Sequence, residues 1–216
     1  MATYNIQVLN NSGFAKSYVV FMEPPVVTSS GGQPVIFPNA WATFTSILPN
    51  GYDSVTYTDT TYACWSTTPD TLAPGVVLTS GGSALVDTAQ NSSAPFIAGP
   101  PTGFGAVTSG VAMSGSFSIV ANGDFTADNG YVFGMAKPGQ TPIPTPVATF
   151  LAQPNDTFNI TPVVQFYVSD GSYTPGQVID ITAISTNIQA INFTGLPQTT
   201  ATVVQAANGE FSVVYS

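Results

Sequence analysis

Acid–base, nucleophilic and metal chemistry draw on a short list of side chains, and most of that list is missing here. The chain has no histidine and one cysteine, and its only basic side chains are Lys16 and Lys137. Without histidine there is no Ser-His-Asp triad and no Cys-His dyad. Zinc and copper sites lose their usual ligands for the same reason. With no arginine and no GxxxxGK stretch, a phosphate clamp is absent as well. A lysine Schiff base is open on paper, but Lys16 sits in "GFAKS", which reads as a turn.

Carboxylates are what survives. Glycoside hydrolysis uses two of them, one as acid and one as base or nucleophile. The only glutamates are Glu23, before Pro24-Pro25 at the end of an apolar run, and Glu210, just after an Asn-Gly turn where a carboxylate is ordinarily solvated. A non-enzymatic protein is therefore expected, with a carboxylate glycoside hydrolase as a lesser reading. "NGDFTADNG" gathers Asn122, Asp124, Asp128 and Asn129. Oxygen ligands at this density can hold Ca²⁺, with Asp124 and Asp128 as its carboxylates. The spacing is not that of an EF-hand, however, and turns are rich in the same residues, so no cofactor is expected.

Aromatic residues make up 12% of the chain, and many stand beside Asn, Asp and Thr. Aromatic faces stack on the C–H faces of neutral sugars while short polar groups bind the hydroxyls, so a lectin-like carbohydrate protein is the leading reading. Its candidate ligand residues are Trp41, in "PNAWATF", and Tyr57, Asp59, Tyr62 and Trp65, in "YTDTTYACW". Read as one strand, the latter places Tyr57, Asp59 and Thr61 on one face and Thr60, Tyr62 and Cys64 on the other. The bland alternative is that these aromatics fill a core.

Only 6% of residues are charged and the net charge is −9. Two lysines cannot replace counterions along a nucleic acid, which is excluded as a partner. An anionic membrane repels the same surface. Low charge and positive mean hydropathy also suit a self-assembling coat, matrix or inclusion protein, which would be a homo-oligomer. Self-assembly is the second reading. "MATYNIQVLNN" has neither the basic nor the apolar region of a signal peptide, and no run is long enough to insert in a membrane. A cytoplasmic, non-classically secreted or mature secreted protein would each fit. The lone Cys64 reads as a buried hydrophobe.

The elements that must position these residues are strands. Short runs rich in β-branched and aromatic residues, such as "SYVVFME", "SVTYTDTTYACW" and "EFSVVY", alternate with Gly, Pro, Asn and Asp, and 20 Gly with 18 Pro leave no room for a long helix. This predicts an all-β sandwich of jelly-roll-like character. Internal echoes suggest two related units, residues 1–125 and 126–216, packed as two domains or as one pseudo-twofold body. "YVVFMEPP" faces "YVFGMAKP", "WATF" faces "VATF", "PNGYDSVT" faces "PNDTFNIT", "APGVVL" faces "TPGQVI", "TGF" faces "TGL", and "ANGDF" at 121–125 faces "ANGEF" at 207–211. Both pentapeptides are expected to be hairpin turns.

Overall fold

The computed structural model describes residues 3–68, 71–79, 81–184 and 187–216. The first strands are β1 (Thr3–Asn10), β2 (Lys16–Met22), β3 (Val26–Thr28), β4 (Phe37–Pro38) and β5 (Ala42–Ile47). Then come β6 (Tyr52–Thr58), β7 (Thr61–Thr67), β8 (Gly82–Val86), β9 (Ser93–Ile97) and β10 (Gly103–Phe104). The remainder supplies β11 (Phe117–Ala121), β12 (Tyr131–Lys137), β13 (Thr145–Leu151) and β14 (Thr157–Thr161). It ends with β15 (Phe166–Asp170), β16 (Ile188–Ile191), β17 (Thr200–Gln205) and β18 (Phe211–Tyr215). Among the described residues a short helix, α1 (Ile181–Ile184), and a 3-10 turn at Ala127–Asn129 interrupt them. The fold is all-β, as the turn-punctuated sequence predicts.

Four sheets result. Sheet A runs β18-β17-β1-β6 and sheet B β16-β15-β2-β5; sheet C runs β10-β9-β11-β14-β3 and sheet D β8-β7-β12-β13-β4. A faces B: the Tyr18 ring on β2 packs edge-on against Phe211 on β18, and its hydroxyl donates to Gln205 Oε1 on β17 at 2.9 Å. C faces D through Phe96 on β9, which meets Phe133 on β12 and Trp65 on β7. One continuous apolar cluster runs through both sandwiches, from Ile6, Tyr18 and Phe166 to Phe96, Phe133 and Phe158. Strand β1 shows the local logic: Ile6, Val8 and Asn10 alternate inward. Strands β2 and β12 are buried on both faces and are correspondingly almost wholly apolar.

The pairing pattern occurs twice. In sheet A, β1 lies antiparallel to β6 and parallel to β17, which is antiparallel to β18. In sheet C, β11 lies antiparallel to β14 and parallel to β9, which is antiparallel to β10. Sheets B and D match in the same way: β2 sits between β5 and β15, and β12 between β13 and β7. Strands β3 and β4 are extras in the excursion between β2 and β5. All four sheets draw strands from both sides of residue 125.

Three of the sequence echoes fall on strands in matching positions: β2 with β12, β5 with β13, and β6 with β14. A fourth pair makes mutual contact. Val77 bridges Gln177, Val178 N–H donates to Val76 C=O at 2.8 Å, and Leu78 N–H to Gly176 C=O at 3.2 Å. Both segments enter through Pro-Gly with a left-handed glycine, Gly75 at φ 90° and Gly176 at φ 83°. The pentapeptide echo does not hold. "ANGEF" does turn the β17–β18 hairpin, but "ANGDF" carries the chain from β11 in sheet C to β12 in sheet D. "TGF" at β10 and "TGL" in the loop before β17 are likewise not counterparts.

Candidate functional site

"SVTYTDTTYACW" is not one strand. β6 ends at Thr58 in sheet A and β7 begins at Thr61 in sheet D, so Asp59-Thr60 is a link between the two sandwiches. The bend breaks the alternation expected across Asp59, yet it gathers the same trio around one cation. Lys137, the last residue of β12, is buried, at 1% exposure. A register shift between Met135 and Ala136 re-aims the end of the strand, and Pro138 follows it. The Lys137 ammonium donates to Thr61 Oγ1 at 2.8 Å, Tyr57 Oη at 3.2 Å and the Asp59 carbonyl at 3.3 Å. It also lies 4.7 Å from the Tyr57 ring centroid. Burial lowers the Lys137 pKa to about 8, partly opposed by the charge of Asp59. Burial pushes the Tyr57 phenol well above its ordinary value, with Asp59 adding to it.

Beyond this cage lies a cleft of about 590 Å³ lined by Asp59, Thr60, Thr61, Leu85, Val86, Asp87, Thr88 and Ala89. One wall is the β6–β7 link; the other is the end of β8 and the turn after it. Val86 pairs with Thr61 across the floor. Asp87 shapes its own turn by accepting the Ala89 N–H at 2.8 Å. Leu85 is 61% exposed. Two aspartates, three threonines and the apolar residues Leu85, Val86 and Ala89 therefore line a single space. A second cleft, of about 410 Å³, lies under the loop before β4. There Asp156 accepts from Ser30 N–H and Oγ–H, Gly31 N–H and Thr157 N–H. Burial alone would raise its pKa, but those bonds hold it below the usual carboxylate range. That carboxylate is occupied in pinning the loop.

The candidate ligand residues separate into two groups. Trp41, Tyr57 and Asp59 converge on the Lys137 cage, but Trp41 is fully buried, edge-on to Tyr57 at 6.1 Å, and donates from Nε1 to the Pro138 carbonyl at 2.9 Å. Tyr57 is 2% exposed. Neither ring offers a face to a sugar. Tyr62 is half-buried beside Leu85, its partner on β8. Trp65 lies elsewhere on sheet D, half-buried and flat against Gly81 and Gly82; a Cβ on Gly82 would come within 2.6 Å of its Nε1. Asp124 accepts the N–H groups of Ala98 and Gly99, and Asp128 lies in the exposed 3-10 turn. Among the described residues no three His, Cys, Asp or Glu side chains gather as a metal site.

The other singled-out residues are also placed. Glu23 accepts the Tyr167 hydroxyl at 2.5 Å, whereas Glu210 bonds Asn208 in the β17–β18 turn. Tyr18 meets Phe211 beside that turn, and Glu23 lies five residues further along the chain, about 16 Å for extended backbone. Lys16 is not a turn residue: it opens β2 and pairs with Asp170 at 2.9 Å. Cys64 is buried, and burial raises its thiol to about 12. Among the described residues no helix is long and apolar enough to cross a membrane.

The RhiA family matches residues 1–216, the whole of this sequence. The chain belongs to the RhiA family. No curated protein and no solved structure matches it. In this RhiA chain the residue that sequence reasoning missed is Lys137. Its signal was present: a lysine directly following the uncharged "YVFGMA" and preceding proline, at the end of a strand with no polar alternation. Such a strand is buried on both faces, and a lysine at its end must either reach solvent or find partners inside.

Proposed function

We propose that this RhiA-family chain is a non-enzymatic, lectin-like binding protein that takes a neutral, hydroxyl-rich ligand in the Asp59–Asp87 cleft. The observation that carries the reading is the lining of that cleft: Asp59 and Asp87 as acceptors, Thr60 and Thr88 as donors and acceptors, and exposed Leu85 as the apolar contact. Neutral polyols present the complementary mixture of hydroxyls and C–H faces. A cleft holds such a ligand without the aromatic platform expected from the sequence. A glycan array probed with labelled protein, with and without a calcium chelator, tests it. Selective binding is expected, unaffected by chelator and weakened about tenfold or more in Asp87→Ala, since a hydrogen bond to a charged group contributes about 1.5–3 kcal/mol. A blank array in both conditions overturns it.

A second reading, self-assembly, is favoured by one surface. Asn10 Nδ2 ties together the carbonyls of Phe14 and Ile47, and Tyr52 pairs with Leu9 on β1. This sets Phe14 (74% exposed), Leu48 and Tyr52 at one end of sheet A. Sedimentation that shifts with concentration, and stops shifting in Phe14→Ser, would support it. The doubled pairing pattern also supports reading the chain as one β unit written twice, the second beginning with β11.

A further inference from the structure

We propose that β18 is a docking edge for a second copy of this chain: two β18 strands pair antiparallel about a twofold axis through Val213 and join their A sheets into one. The inference uses neither the cleft nor the Phe14 surface, and a twofold contact of this kind closes on itself as a dimer.

The direction of the free hydrogen-bonding groups is the first observation. β18 stands at the end of sheet A, and among the described residues no strand pairs with its far side. Thr200 and Ser216 exchange both backbone bonds, at 3.0 and 2.9 Å, and Ala206 N–H donates to Glu210 C=O at 2.9 Å. In an antiparallel ladder such pairs recur at every second residue. Ser212 and Val214 therefore bond to β17, opposite Val204 and Thr202. The N–H and C=O groups of Phe211, Val213 and Tyr215 turn to the open side. These positions are symmetric about Val213. A second β18 laid antiparallel puts Val213 opposite its own copy and Phe211 opposite Tyr215 of the other copy, and all the open groups find partners.

The second observation is unfinished burial. Ala201 and Val203, which face the core from β17, are fully buried. Tyr215 and Val213 are in register with them on β18 and face the same way, yet they and Phe211 are only half-buried. Phe211 packs against Tyr18, and Tyr215 against Phe193, so what they lack is a lateral neighbour. The paired strand supplies one and sets an aromatic ring beside an aromatic ring across the seam.

The third observation is an edge without defences. Lysine, proline, bulges or short length ordinarily discourage pairing at a sheet edge. β18 reads FSVVY and keeps unbroken register with β17 over five residues. Other edges are blunted: β3, β4 and β10 have three residues or fewer, β6 carries Asp53, and on β5 the Gln140 side chain already accepts the Thr43 N–H. Charge also permits an identical partner, although each copy carries −9. The acidic residue adjoining β18 is Glu210, which in this register falls opposite Ser216. The two Glu210 side chains then stand about 20 Å apart along the ladder, beyond the ~8 Å screening length at physiological salt. An axis normal to the sheet keeps both B sheets on one side, and β16, whose neighbour Asn192 bonds the Tyr215 hydroxyl, is uncharged too.

Sedimentation equilibrium over a concentration series should show a dimer, unchanged in Phe14→Ser. Val213→Pro removes an N–H from the open side and none from the β17 ladder, so it should be monomeric with the parent's circular dichroism. Cysteines read the register. Cys64, the only native thiol, is buried, whereas Ser212 and Val214 are exposed. Across the seam Ser212 lies opposite Val214 of the other copy, their Cα atoms about 4.5 Å apart and within disulfide reach. Under mild oxidation, a mixture of Ser212→Cys and Val214→Cys proteins should form linked dimers several-fold faster than either protein alone. A protein that stays monomeric throughout the series overturns the inference and leaves the edge to a strand of some other protein. A dimer that cross-links no faster in the mixture also overturns it; if Phe14→Ser dissociates that dimer, the interface lies at the Phe14 end. Should Val213→Pro fail to fold, the cysteine mixture decides alone.

Discussion

At the scale of single residues, Lys137 makes the sharpest claim. Its folded pKa, about 8, lies below the ordinary 10.5. Between those values the unfolded chain holds more protons than the folded one, so unfolding free energy rises with pH across that window. The full shift corresponds to roughly 3 kcal/mol. From about pH 9 the Cys64 thiol opposes this gain, and above pH 10 the trend reverses, because burial raises Cys64, Tyr18 and Tyr167 to about 12 and their unfolded counterparts ionise first. Urea denaturation at pH 7.5 and 9.5 should therefore show higher stability at 9.5, and in Lys137→Met that gain should vanish. An equal gain in the variant would assign the slope to other groups. Cys64 illustrates a residue read correctly from type alone: a lone cysteine inside an apolar strand is buried and inert.

At the scale of elements, strands were legible and their partners were not. Composition marks β2 and β12 as strands, and their buried-on-both-faces character follows from the apolar run. Nothing local says that the run from Ser54 to Trp65 divides between two sheets, because the break at Asp59-Thr60 has neither Gly nor Pro. Tertiary pairing decides it, as β1 captures Tyr52–Thr58 and β12 captures Thr61–Thr67. The same blindness misplaced "ANGDF": Asn-Gly predicts a turn, and whether the turn is a hairpin depends on which sheet the next strand joins. Trp41 and Tyr57 look like ligand residues because they are aromatic beside polar neighbours, yet both rings are buried in the core. The seam between the sandwiches gives an element-scale prediction. Asn39 is fully buried, donating to Gly176 C=O at 3.0 Å and accepting the Thr149 hydroxyl at 2.9 Å. Asn39→Ala strands the Thr149 hydroxyl and leaves Gly176 C=O with the Leu78 N–H alone, and should lower stability by about 1–3 kcal/mol in urea titrations. Gly176→Ala should be at least as damaging: its Cβ would fall within 2.1 Å of the Leu78 carbonyl, at a φ that alanine disfavours.

At the scale of the whole molecule, the repeated pairing and the mixing of strands act together. A protein made of two units in series would survive cutting between them. Here each sheet is shared, so fragments 1–115 and 116–216 should each be unfolded alone by circular dichroism and regain the all-β spectrum when mixed. A fragment that folds by itself would contradict the shared-sheet arrangement. The same sharing should make thermal unfolding a single transition, since the core cluster spans both sandwiches.

The parallel pairing of β1 with β17 also has a consequence for how the protein is made. β1 leaves the ribosome long before β17, its parallel partner. At about 5–20 residues per second, the interval between Asn10 and Thr200 is roughly ten to forty seconds. Throughout that time one side of β1 is an open template whose later partner does not yet exist. A nascent chain in that state is exposed to neighbours on the same message, and its yield in cells should depend on translation speed and chaperone supply more than the finished molecule's stability would suggest.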